Sequence, residues 1–189
     1  MLVSQFALFR EILSRSDPTI SKKRRQSVIR EMGMMSYIIP DLPNGNSLLK
    51  PLFSRPTRPD GNCYFQAISY VLSGSETQHM FLRRSVGEHM KKPEVAKKIS
   101  DYLGIENVYK YILTSKIELS LVWATDVEIL ASASLLNCDV NVYSSYGSSM
   151  EWQLYLASFN LSETSSEAIM LQNLNHHFEP VMLLSLIHI

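Results

Sequence analysis

The chain is poor in cysteine, in glycine and in net charge, and each shortage removes a class of explanation. Two cysteines, Cys63 and Cys138, are too few for a disulfide framework in 189 residues, so a reducing compartment is expected. There is no CxxC or comparable ligand pairing, and a zinc site from Cys63, Cys138, His176 and His177 therefore has little support. No metal or other cofactor is expected. The 7 glycines nowhere form a phosphate cradle. No apolar run is long enough to span a bilayer, and residues 1–13 lack the basic start and small-residue cleavage site of a secretory signal. Internal repeats and low-complexity tracts are absent as well.

Basic and acidic residues cancel at 18 each, but their distribution is uneven. Residues 1–58 carry 10 Lys/Arg and 4 Asp/Glu, a balance of +6; residues 59–189 carry 8 and 14, a balance of −6. An acidic body suits a basic ligand or peptide tail better than nucleic acid. The run Lys22-Lys23-Arg24-Arg25 has the form of a nuclear-localisation or nucleic-acid patch. It reads more simply as the solvated face of a helix. Cytoplasmic residence is expected, with the nucleus open.

With 46% hydrophobic and 19% charged residues, the chain can bury one sizeable core. Periodicity predicts helices over 2–15 and 21–37, then an extended or looped stretch over 39–58, where Pro40, Pro43, Gly45, Pro51 and Pro56 fall. Further helices are predicted over 63–73, stopped by Gly74, and over 79–91, 94–103, 106–113 and 126–136, the last capped by Asp126 or Thr125. Thereafter "DVNVYSS", "WQLYL", "AIMLQN" and "FEPVMLLSL" have strand composition. The fold class is α+β (mixed α/β), a small central β-sheet flanked by helices. Residues 1–57 form a partly basic lead-in, 58–184 the main domain, and 185–189 a tail of doubtful origin.

Chemistry concentrates in "RPDGNCYFQAISYVL", residues 58–72, where a tight turn runs into an apolar helix with Cys63 in its first turn. Unpaired backbone N–H groups and the helix dipole there favour a thiolate over a thiol. A thiolate nucleophile needs a base. His79 and His89 lie in a predicted helix and His188 in the tail, which leaves "NHHFEPV", residues 175–181. In an extended segment His177 and Glu179 share a face, with Cα atoms about 6.6 Å apart. A carboxylate can then hold one imidazole nitrogen while the other faces outward. His176 would point the opposite way. On spacing alone Cys63 reads sooner as a buried small hydrophobe than as a nucleophile, Cys138 as a core residue, and Trp123 sooner as a core anchor than as a support for the site.

The stretch "PDGNCYFQAISYVLSG" resembles the cysteine motif of the ovarian-tumour (OTU) family of deubiquitinating cysteine proteases. "VWATDVEILASASLLNCDVNVY" is similar to that family's tryptophan, helix and strand, and "HHFEPV" to its closing histidine motif. The resemblance covers residues 58–183. It implies an OTU-like fold with Cys63 as nucleophile, His177 as general base and Asp60 helping to build the site. Glu179 takes the orienting position, where Asp or Asn is commoner. It implies an oxyanion loop of backbone N–H groups over Asp60, Gly61, Asn62 and Cys63, and substrate-binding positions at Tyr64, His176 and Phe178. The implied partners are ubiquitin or a ubiquitin-like protein and polyubiquitin chains, approached by a monomer through a narrow, acid-walled channel, without membrane or nucleic acid. Phe178, Tyr64 and Gln66 replace commoner residues. Two other functions are compatible with these features: a catalytically silent ubiquitin-binding module, and a protease processing a viral or mobile-element polyprotein.

Overall fold

The computed structural model describes residues 19–42, 49–146, 149–160 and 167–188. The helix expected over 2–15 lies outside these residues. Helix α1, Lys22–Met32, starts at Ser21, whose hydroxyl accepts the Arg24 N–H. It stops at Gly33, whose φ of 69° ends the helix short of residue 37. The basic run does not form a solvated face throughout. Arg25 is buried and donates to the carbonyls of Pro40 and Val71 at 2.8 and 3.1 Å. Arg24 reaches the Leu136 and Asn137 carbonyls at 2.9 and 3.3 Å, which leaves Lys22 and Lys23 as the exposed pair.

Helix α2, Cys63–Ser73, is the centre of the molecule. Every residue in it except Tyr70 is buried, because the sheet, α1 and α3 close around it. A helix this apolar is stable in such a position, and its buried Ser69 and Ser73 hydroxyls are satisfied by the Ser75 and Ser69 carbonyls. Helices α3 (His79–Met90), α4 (Pro93–Leu103), α5 (Val108–Ser115) and α6 (Asp126–Leu136) stack beyond it. Helix α6 begins with a capping box: the Thr125 hydroxyl accepts the Val127 N–H, and the buried Glu128 carboxylate accepts the Thr125 N–H at 2.7 Å.

Strands β1 (Leu49–Ser54), β2 (Asp139–Tyr146), β3 (Ser149–Tyr155), β4 (Ala168–Leu174) and β5 (His177–His188) form one sheet in the order β1-β5-β4-β2-β3. Among the described strands only the β2/β4 pair is parallel, and an isolated bridge sets Thr19 parallel to Ala168 at the start of β4. The four C-terminal strands fall where alternation predicts them. Strand β1 falls in the stretch expected to be extended or looped, where no strand is predicted, and Pro51 within it is tolerated because β1 is an edge strand with register shifts along its length.

Candidate active site

Strands β4 and β5 are joined by a tight turn at Asn175 and His176, with φ of 52° and 65°. Asn and His are among the residues that enter this left-handed region most readily. The turn delivers His177 to the start of β5, and Glu179 follows on the same face. His177 Nε2 lies 3.5 Å from Glu179 Oε1 and 3.5 Å from the Thr57 hydroxyl, longer than a full hydrogen bond in both cases. The second Glu179 oxygen accepts the Ser54 hydroxyl from β1. Thr57 is fixed in turn by donating to the Phe178 carbonyl at 2.7 Å. His177 Nδ1 is buried and has no hydrogen-bond partner among the described residues.

The Cys63 sulfur sits against this turn although more than a hundred residues separate them in sequence. It receives the Phe178 N–H at 3.5 Å and faces the His176 carbonyl at 4.0 Å. Cys63 is 1% exposed. Burial pushes its thiol above the ordinary thiol range; backbone N–H groups of Phe178, Tyr64 and Cys63 pull it back, and Asp60 adds a further upward push. The thiolate expected at a helix start is thus corrected. Desolvation outweighs the helix terminus, and the resting group is a thiol.

The loop before Cys63 is tightly tied. Asp60 Oδ1 accepts the Asn62 N–H at 2.8 Å, the Asp60 N–H goes to the Arg58 carbonyl, and the Cys63 N–H goes to the Asp60 carbonyl at 3.1 Å. Of the four amides expected to form an oxyanion hole, three are therefore engaged within the loop; Gly61 N–H has no protein acceptor among the described residues. Gly61 is required by close approach: a Cβ there would lie 2.0 Å from the Leu121 carbonyl oxygen. Asn62 caps α2 by position but not by its side chain, whose Oδ1 instead accepts the Leu121 N–H at 2.9 Å.

A cavity of about 620 Å³ adjoins the sulfur's neighbours. His176 and Phe178 line it, with Trp123, Asp126, Gln153 and Tyr155 among the others. Trp123 is half-exposed here, not the core anchor expected. The cavity walls carry one carboxylate, Asp126, so the acid-walled channel that the resemblance implies is mostly neutral here. Tyr64, expected to bind substrate, is fully buried and meets Phe65 and Phe178 edge-on at 5.0 and 5.3 Å. That expectation is corrected, because the second residue of α2 faces the core. Phe178 packs on Tyr64 yet borders the cavity, and His176 is exposed at its rim.

The sequence reading missed Ser54 and Thr57, whose hydroxyls brace the His177–Glu179 pair, and Arg83, which is fully buried in α3. Arg83 falls in helical register with Val86, Gly87 and Met90, so its place on the apolar side was available from spacing. Among the described residues no cluster of His, Cys, Asp and Glu could hold a metal ion.

Fold and site together define a cysteine-protease scaffold. The chain belongs to the family of OTU-like cysteine proteases, whose model matches residues 58–180. Solved structures with the same fold include the viral OTU domain protease of Dera Ghazi Khan virus, at TM-score 0.55 and 19% identity, over 70% of this chain and 81% of that one. The OTU domain of OTUD1 matches at TM-score 0.52 and 21% identity, over 68% and 83%. The viral OTU protease of Farallon virus matches at 0.54 and 16%, over 71% and 84%. A comparison with curated protein sequences finds no match.

Proposed function

We propose that the chain is a thiol-dependent deubiquitinase, cleaving the isopeptide or peptide bond after the C-terminal glycine of ubiquitin or a ubiquitin-like modifier. The observation that carries this reading is the sulfur of Cys63 lodged on the backbone of the residues flanking His177, whose Nδ1 has no partner among the described residues. Because burial keeps the resting group a thiol, His177 takes the Sγ proton as sulfur attacks the glycine carbonyl carbon. The carbonyl electrons move onto oxygen, and the Gly61 N–H is the amide free to meet that oxyanion. His177 then gives the proton to the leaving lysine Nζ, leaving a thioester on Cys63. Water, deprotonated by His177, attacks the thioester, releasing the glycine carboxylate and the thiol. The cavity beside His176 and Phe178 would receive the modifier's tail.

Hydrolysis of a ubiquitin C-terminal coumarin amide tests this reading. Wild type should release coumarin, Cys63→Ala should fall to background, and Cys138→Ala should keep wild-type turnover. Ubiquitin binding without turnover in the wild type would mean a silent binding module instead, and turnover surviving in Cys63→Ala would exclude Cys63 as nucleophile.

The raised Cys63 thiol has a pH consequence. The reactive species is the deprotonated one, so alkylation by iodoacetamide should rise with pH through a midpoint above the free-thiol value of about 8.5. Peptide mapping of the Cys63 adduct across pH 5–11 checks this, and a midpoint below neutrality would contradict it.

A further inference from the structure

Arg83 is 0% exposed, and its guanidinium joins two loops that no secondary structure connects. One nitrogen donates to the Gly61 carbonyl at 2.6 Å, the Asn62 side-chain oxygen at 3.2 Å and the Val122 carbonyl at 2.8 Å. The other reaches the Ile117 carbonyl at 2.8 Å. The guanidinium carbon lies over the Phe65 ring, 4.4 Å from its centroid and two residues into α2 from Cys63. The 117–122 loop needs such a tie, since Leu121 holds a φ of 66°, a conformation a branched side chain rarely adopts. Asn62 closes the same junction, accepting the Leu121 N–H and donating to the Ser120 hydroxyl at 3.2 Å.

We propose that Arg83 is a positioning residue for the nucleophile loop: its fork locks Gly61 and Asn62 onto the 117–122 loop and so sets the backbone that carries Cys63. By fixing the Gly61 carbonyl, Arg83 fixes the plane of the peptide that joins Gly61 to Asn62, and with it the run of backbone into Cys63. Desolvation lowers the Arg83 guanidinium to about 10, and the Glu128 and Asp60 carboxylates oppose that fall, so it stays charged at neutral pH and its hydrogen bonds to both loops are charge-assisted.

The test uses the full chain and two readouts, only one of which depends on the proposed deubiquitinase activity. In iodoacetamide alkylation mapped to Cys63, Arg83→Met and Arg83→Lys should both react faster than wild type at a given pH, since a loop released from its tie opens the buried sulfur to the reagent. In turnover of the ubiquitin coumarin amide, both variants should lose about a hundredfold in kcat with KM changed by less than about threefold, since lysine cannot bond both loops at once. If Arg83→Met does not fold, Arg83→Lys and Asn62→Ala decide, and each should show the loss in kcat with Cys63 alkylation retained. A folded Arg83→Met with wild-type alkylation rate and wild-type kcat would overturn the proposal. So would a loss of thermal stability alone, with kcat per folded molecule unchanged. Should the wild type hydrolyse nothing, the deubiquitinase reading fails, and the alkylation rate still decides whether Arg83 ties the Cys63 loop.

Discussion

Truncating His177 to Ala should lower kcat on a ubiquitin C-terminal amide by about 10³–10⁴-fold while leaving ubiquitin binding within a fewfold of wild type. General acid–base assistance is worth about 10²–10⁴-fold in such reactions, and here the histidine serves three times. It removes the thiol proton, protonates the leaving amine and activates the deacylating water. A preformed thiolate would soften the first loss, but burial holds the Cys63 thiol above its ordinary range, so its proton must be removed as the sulfur attacks. The effect should therefore lie near the upper end. Single-turnover hydrolysis and binding to unmodified ubiquitin, measured on the same preparation, separate the chemical loss from an affinity loss. A His177→Ala variant within tenfold of wild type in kcat would assign the base elsewhere.

Gly61→Ala is the second large effect, and it needs only one carbon. The added Cβ would lie 2.0 Å from the Leu121 carbonyl oxygen and 2.2 Å from its carbonyl carbon. Both are backbone atoms, so no rotamer change relieves the clash, and either the nucleophile loop or the 117–122 loop must move. Arg83 and Asn62 bond both loops and resist that movement. An oxyanion donor displaced from its place costs about 10²–10³-fold in kcat. Gly61→Ala is thus expected to lose at least about a hundredfold, with thermal stability falling by several degrees, as overpacking costs about 1–3 kcal/mol. Circular dichroism melting beside the coumarin assay checks both. Unchanged kcat would mean that the Gly61 amide meets no oxyanion.

Much of this site was legible because its parts are local. "DGNC" before an apolar helical run places the thiol at a helix start. "HHFEP" in an extended segment places an imidazole and a carboxylate on one face, and the 3.5 Å approach of His177 to Glu179 follows from that periodicity. Helix ends were legible where one residue decides them, as at Gly74, which takes φ of 81°. What sequence could not carry was tertiary. Strand β1 hides behind its proline, since only its edge position makes Pro51 tolerable. Tyr64 follows the cysteine in the motif, but which way the second residue of a helix faces depends on what surrounds the helix. Arg24 and Arg25 read as surface charge until the carbonyls they bond, 112 and 46 residues away, come into view. The thiol's ionisation failed for the same reason, because desolvation belongs to the packed state. The hydroxyls of Ser54 and Thr57 carry no signal in sequence that ties them to a histidine more than a hundred residues on.

The most direct measurement is capture by ubiquitin bearing a C-terminal electrophile, followed by mass mapping of the adduct. The account predicts one ubiquitin per chain, bonded at Cys63, none at Cys138, and none in Cys63→Ala. No adduct from a folded chain, or an adduct on any residue but Cys63, would contradict it.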